Sequence, residues 1–333
     1  MERIKEIWNK LESNASAVAG LYKIRYSDTS KCDAFFGVKY PENFRMLIIR
    51  TPFGVGKNFN FKYEFRSLKF DKIYDPSDSN FLLLNLVLID KQFMDVFDAL
   101  IYDVLNSIIK ESDIKIILNN YTNRLTKWQS LFERFNTQGL TPEEQKGLFG
   151  ELFFIRKFLK CNPDYLNIIN SWVGSEMQIR DFQSGAWGVE VKTTHGNNHQ
   201  RVYISSERQL DTSNLENLFL YHISLEVRQQ SGETLNQIVD SVCEILNADF
   251  SSLNHFKRKL LEAGYFDGHR NLYKHIGYFI RQDIFYKVEN EFPRIEERDI
   301  RSGVGDVKYS IVISQCSDFT KTEKEVFQTL IFT

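Results

Sequence analysis

The sequence predicts an α+β fold that grades into α/β in its second half, divided between two domains. Three observations predict it. Alternating apolar and polar runs broken by turn signals fill most of residues 20–89. Two amphipathic helical patterns follow over 90–135, and beyond residue 136 a helix, three short strands, a helix and a strand succeed one another. A chain of 333 residues is long enough for about two domains. The division expected is an N-terminal, mainly antiparallel β domain with a helical pair over 1–135, and a second domain over 136–333 with a helical and β C-terminal extension.

The first helix, from Glu2 to Leu11, puts Ile4, Trp8 and Leu11 on one side. Strands are predicted at 21–26, 33–38, 44–50, 58–68 and 80–89, with turns at Tyr40-Pro41-Glu42-Asn43 and Asp75-Pro76-Ser77-Asp78. In the fourth strand Phe59, Phe61, Tyr63 and Phe65 alternate with polar residues, and Arg45, Arg50, Lys57, Lys62, Arg66, Lys69 and Lys72 crowd the region. Such cations could face phosphates. An aromatic core face beneath a solvated polar face explains the alternation more simply. The loop Thr51 to Asn58 lacks the first glycine and the Ser/Thr of a phosphate-binding loop. Helices over 90–112 and 113–135 are expected to pair antiparallel and bridge the two halves, and 136–139 is the linker.

Thr141-Pro142-Glu143-Glu144 starts the next helix, with a capping threonine, proline in the first helical position and a glutamate three residues after the cap. Leu148, Leu152, Ile155 and Leu159 form its apolar stripe, and Glu151 sits inside that stripe. A carboxylate on a buried face requires a partner or a metal. Arg156 and Arg180 are the ordinary candidates for that partner. Farther on, 201–205 and 217–228 are strands, Ser206 opens a helix, 234–247 and 253–263 are amphipathic helices, and 278–288 and 307–314 are strands.

The net charge of −2 gives no global basic signature, so any nucleic-acid contact would need localised positive charge. The 28 phenylalanines and 15 tyrosines favour sheets. Cys32, Cys161, Cys243 and Cys316 lack the spacing of a zinc site and suit a reducing compartment. No apolar run is long enough to span a bilayer, and the first residues open a charged helix rather than a signal peptide, so a cytoplasmic location is expected.

The chemistry concentrates between Gln178 and His195. The pattern predicts a β-hairpin turning at Ser184-Gly185, pairing Asp181 with Gly188 and leaving room there for an ion. Glu190, Lys192 and Thr194 share one face, while Val189, Val191 and Thr193 share the other. Asp181, Glu190 and Lys192 therefore converge. Two carboxylates so close repel each other unless a cation lies between them, and oxygen ligands suit Mg²⁺ or Mn²⁺. An ordinary solvated strand face is the alternative for Glu190 and Lys192. His195 and His199 are expected in the polar loop that follows, with metal or substrate binding as the alternative.

Asp181 followed by Glu190-Val191-Lys192 resembles the PD-(D/E)XK nuclease superfamily, with Arg180 where the motif has proline. The resemblance implies a restriction-endonuclease-like αβββαβ core with a right-handed crossover, and Asp181 and Glu190 as metal ligands. It gives Lys192 the attacking water and makes Glu151 the helix glutamate beside the metal. The GLFGELFFI helix, Tyr286-Lys287-Val288, Phe292-Pro293-Arg294-Ile295 and 307–311 resemble a bacterial PD-(D/E)XK family found beside restriction and phage-defence genes. A Mg²⁺- or Mn²⁺-dependent DNA endonuclease is implied, with DNA, a second copy or defence-system proteins as partners and no membrane. The alternatives are a catalytically silent nucleic-acid-binding or assembly subunit, or a metal-dependent hydrolase of another substrate.

Overall fold

The computed structural model describes residues 2–13, 18–61, 67–134, 139–176, 178–196 and 201–332. The chain divides into one unit of Met1–Thr137 with Phe266–Gly268 and another of Gln138–Tyr265 with His269–Thr333. Among the described residues no helix is long and apolar enough to cross a membrane.

The first unit contains α1 (Glu2–Glu12), β1 (Gly20–Arg25), β2 (Ala34–Tyr40), β3 (Phe44–Pro52), the short α2 (Phe53–Gly56), β4 (Leu68–Tyr74), β5 (Phe81–Leu88), α3 (Met94–Ile108) and α4 (Ile114–Arg134). The strands form one antiparallel sheet in the order β1-β2-β3-β5-β4. Trp8 of α1 is buried against the edge of Phe36, and its indole N–H donates to Asp98 of α3 at 2.6 Å.

The strand expected over 58–68 begins only at Leu68. The Asn58 and Phe59 amides instead donate back to the Val55 and Gly56 carbonyls, continuing the turn out of α2. The Phe59 and Phe61 rings stand 5.9 and 5.5 Å from Phe70, so for the described residues 58–61 aromatic packing accounts for the alternation without a strand. Residues 62–66 lie outside the described residues. Three of the cations in this region have intramolecular partners. Arg45 pairs with Glu12 and Asp98, Arg50 pairs with Asp75 and Asp33, and the Lys72 ammonium donates to the carbonyls of Gly56, Lys57 and Phe59. That pairing favours the packing explanation over a phosphate-binding face.

Asp75 anchors the β4–β5 turn. Its side chain is 1% exposed and accepts from Arg50 Nε at 2.6 Å and from the Ser77 hydroxyl at 2.7 Å. Burial alone would raise its pKa, but the Ser77 and Arg50 hydrogen bonds and the Lys23 charge outweigh burial and hold it well below the usual carboxylate range. A depressed folded pKa contributes stability that is present above the ordinary aspartate value and is lost as pH falls toward the folded one. Asp75→Asn should therefore cost about 3 kcal/mol in urea melts at neutral pH, with the deficit shrinking in acid.

The second unit contains α5 (Pro142–Cys161), α6 (Tyr165–Ser171), β6 (Phe182–Ser184), β7 (Trp187–His195), β8 (Arg201–Ile204), β9 (Asn217–Gln229), β10 (Glu233–Thr234), α7 (Leu235–Leu246), α8 (Phe250–Glu262), α9 (Arg270–Tyr273), β11 (Ile276–Lys287), β12 (Tyr309–Val312), β13 (Thr320–Lys321) and α10 (Glu323–Phe332). Its main sheet runs β10-β11-β9-β7-β6, with β13 beside β11. β7 and β9 are parallel and the other pairs antiparallel, giving the mixed α+β architecture expected.

The αβββαβ order is met only in part. β8 leaves the main sheet to pair with β12, about a hundred residues away in the chain. Ser206 does cap a helix, but only the single 3₁₀ turn Glu207–Leu210. α6, which the sequence reading omitted, is capped by Asp164.

Helix α5 starts as expected, with a complete capping box between Thr141 and Glu144. Leu148, Leu152, Ile155 and Leu159 are buried in the core. Gly150 lets the helix lie close on β7: a Cβ there would come within 2.4 Å of the Thr193 methyl. Val189 and Val191 turn into the same core. The opposite face of the sheet is covered by a second core containing Val202, Ile204, Leu218, Leu220 and Ile311.

Candidate active site

The hairpin forms with a shifted turn. Phe182 pairs with Val189 and Ser184 with Trp187, so Gly185 and Ala186 make the turn and Gln183, not Asp181, faces Gly188. Gly188 provides no cavity for an ion: a Cβ there would meet Leu215, Arg180 and Leu218 within 3.3 Å. Asp181 precedes β6 instead of lying within it.

Three hydrogen bonds fix Asp181. The amides of Val173 and Gly174, just past α6, both donate to its carbonyl at 2.9 Å. Its Oδ2 accepts the Val191 amide at 2.7 Å, capping the outer edge of β7 between Glu190 and Lys192. Gly174 is required by closeness: a Cβ would lie 2.9 Å from both Asp181 Cα and Oδ1. Gly174 carried no periodic or capping signal, which is why sequence reasoning missed it.

Glu190 lies on the expected face of β7, but that face is covered and its side chain is only 1% exposed. The Lys192 ammonium stands 2.7 Å from Glu190 Oε1, an ion pair without hydrogen-bond geometry. Apart from Lys192 and a backbone N–H of Asp181 directed at it, the Glu190 carboxylate has no partner among the described residues, and neither of its oxygens has a well-aligned hydrogen bond. Buried carboxylate oxygens normally have well-aligned partners, so a carboxylate held mainly by one ion pair has capacity left for a cation. Thr194, next on this face, hydrogen-bonds His222 of β9 at 2.8 Å.

Glu151 receives a hydrogen bond from the Trp172 indole at 2.5 Å. Neither arginine weighed as its partner is in that position. Arg156 pairs with Glu233, while Arg180 donates to the carbonyls of Arg208, Gln209 and Asp211 and so ties the 3₁₀ turn to the hairpin. That turn delivers Gln209, whose Oε1 accepts from Lys192 Nζ at 3.3 Å and from the Ser205 amide and hydroxyl at 2.9 and 3.0 Å. Trp172 and Gln209 sit in short irregular elements, outside the helical and strand periods that located the other residues.

The electrostatics bind these groups together. Burial pushes the Glu151 carboxyl up to about 7, with the Trp172 bond opposing the shift and the Glu190 charge adding to it. Burial, then Glu190, then Glu151 raise Asp181 well above the ordinary aspartate range. Burial also raises Glu190, against the pull of Lys192 and Arg180. For Lys192 burial acts downward, but Glu190 and Asp181 outweigh it and hold the ammonium charged.

Among the described residues no three His, Cys, Asp or Glu side chains stand together as a metal-ligand set. The expected trio of Asp181, Glu190 and Glu151 is not drawn together as such a set; Trp172 donates to Glu151 Oε2 and the Val191 amide to Asp181 Oδ2. The donor chemistry still fits a hard divalent cation: Glu190 offers two oxygens without well-aligned hydrogen bonds beside Asp181, and Mg²⁺ characteristically keeps several waters while binding one or two carboxylates. His195 is exposed at the end of β7 with Lys146 Nζ 3.1 Å from its ring nitrogens, and His199 lies outside the described residues.

An aspartate beside a Glu-x-Lys strand, with a helix glutamate in the same electrostatic cluster, makes a carboxylate–lysine centre on an α+β fold. The chain belongs to the family described as "Putative PD-(D/E)XK family member, (DUF4420)", whose model matches residues 4–314. No curated protein and no solved structure matches the chain.

Proposed function

We propose that this chain is a divalent-metal-dependent phosphodiesterase that cuts DNA, in a restriction or phage-defence setting. The observation carrying the chemistry is Glu190: buried, with no well-aligned hydrogen bond to either oxygen, next to Asp181 and 2.7 Å from the Lys192 ammonium. Family membership supports the nuclease class. The defence setting rests on the resemblance of the helix and tail segments alone.

Asp181 and Glu190 would hold Mg²⁺ or Mn²⁺, with Glu151 reaching the ion through a water. When bound, the ion would polarise the scissile phosphate and lower the pKa of a bound water. Lys192, held between Glu190 and Gln209, presents a fixed positive charge where negative charge grows on the phosphate and the attacking oxygen. Arg180 and Gly174 act at a distance, holding the 3₁₀ turn and Asp181 in place.

The reading is tested by incubating plasmid and single-stranded DNA, modified and unmodified, with the protein in Mg²⁺, Mn²⁺ or EDTA. Metal-dependent cutting is expected. Metal binding without cutting of any substrate would favour the silent binding subunit instead.

Gln209 should matter as a positioning residue. Gln209→Ala should lower the cleavage rate about tenfold with little change in substrate affinity, since Lys192 loses its second anchor. Gln209→Glu, which can still accept from Lys192, should recover most of the rate. Equal loss in both variants would show that the contact does not position the lysine.

A further inference from the structure

The two-stranded ribbon of β8 and β12 has a face that the fold does not use. Val202 and Ile204 of β8, and Ile311 of β12, turn inward to the second core. The alternate residues turn outward: Arg201 pairs across the ribbon with Val312 and Tyr203 with Ser310. Tyr203 is 66% exposed, and the small Ser310 opposite it leaves the ring uncovered. Arg201 and Lys308, just before β12, are also exposed, and among the described residues neither forms an ion pair. Of the acids near the ribbon, Glu207 is buried and accepts the Val307 amide at 2.8 Å, which pins the start of β12, while Asp306 is exposed just before it.

The ribbon also leads into the candidate active site. Ser205, the residue after β8, donates its amide and hydroxyl to Gln209 Oε1, the same oxygen that accepts from Lys192. An exposed aromatic ring between two unpaired cations, joined by hydrogen bonds to the lysine of a phosphodiesterase site, has the make-up of a single-strand platform. Rings stack on bases of any sequence, and flanking cations follow the phosphates.

We propose that the outer face of this ribbon binds a single-stranded nucleic-acid segment, with Tyr203 stacking on an unpaired base and Arg201 and Lys308 contacting phosphates, and so guides the strand toward Lys192. The proposal rests on the nuclease reading of the site. It adds the substrate form, a strand with unpaired bases, and the surface that grips it.

The test separates binding from cutting. Fluorescence anisotropy in EDTA, with labelled DNA and RNA single strands and a DNA duplex of about 20 nucleotides, reads the platform without cleavage. Tyr203→Ala should weaken single-strand binding about tenfold and duplex binding much less, while Tyr203→Phe should bind as the wild type does. Arg201→Ala and Lys308→Ala should weaken single strand and duplex together, each reducing the salt slope by about one ion. Comparison of the DNA and RNA arms identifies the preferred strand.

Unchanged binding by Tyr203→Ala, or no single-strand binding by the wild type, overturns the proposal. A change in sedimentation without a change in oligonucleotide binding would assign the ribbon to a protein contact instead. If Tyr203-dependent binding is found in a protein that never cuts, the nuclease reading fails and the platform stands. If the wild type cuts and Tyr203→Ala binds and cuts equally well, the platform fails and the nuclease reading stands.

Discussion

Lys192→Ala is expected to lower DNA cleavage about 10²- to 10³-fold while leaving oligonucleotide binding intact. The lysine is the only side chain forming an ion pair with Glu190 among the described residues, and 19% of its side-chain surface is exposed. Its charge matters most when negative charge builds on the phosphate, so its removal affects the rate more than affinity. Loss of the ammonium also leaves Glu190 without its counter-charge. The carboxyl can then take up a proton, so the fold should survive with a lower melting temperature. Lys192→Met, which keeps the aliphatic stem, should be equally inactive and closer to wild type in stability. A Lys192→Met enzyme that cuts at the wild-type rate would remove the lysine from the chemistry.

Asp181→Asn should have opposite effects on activity and stability. Cleavage should fall by at least about 10²-fold, because the variant loses the charge that a metal needs. In EDTA, however, the same protein should be more stable than wild type at pH 8 by roughly 1 kcal/mol. The sign follows from the raised pKa values of the cluster. A carboxyl whose folded pKa lies above its unfolded value contributes stability that is complete below the unfolded pKa and is lost as pH rises through the folded one. For Glu151 that window runs from its ordinary 4.5 to about 7. Metal-free wild type should therefore lose stability as pH rises through the folded pKa of each of the three carboxyls, all raised, with Glu151 reaching that point at about 7. Asp181→Asn removes one of the three charges, so its stability should fall less steeply with pH. Mn²⁺ should raise the wild-type melting temperature at pH 8 and leave that of Asp181→Asn nearly unchanged. Parallel pH profiles for the two proteins would refute the coupling.

What the sequence revealed of this site was local. The α5 start was legible because a capping box lies within four residues, and the face shared by Glu190 and Lys192 followed from the two-residue period of a strand. The turn was placed one residue early because Ser184-Gly185 and Gly185-Ala186 are both compatible with a glycine at positive φ, and the choice depends on packing around Phe182. The pairing of β8 with β12 depends on residues far apart in the chain, and neither strand's own pattern names its partner. Trp172, Gly174 and Gln209 were invisible for a different reason. Each lies in a short irregular piece whose conformation is set by what it touches.

Asp181 also occupies the place of a missing strand. β6 is the edge of the main sheet and covers only the first residues of β7, from Trp187 to Val189. Just past that point the Val191 amide would be an open donor, and the Asp181 carboxylate closes it. One side chain thus serves as a sheet-edge guard as well as an acid, blunting an edge that could otherwise recruit a strand from a second molecule. Truncation at this position would mix lost chemistry with edge-to-edge association. Asparagine keeps an oxygen for the amide and separates the two.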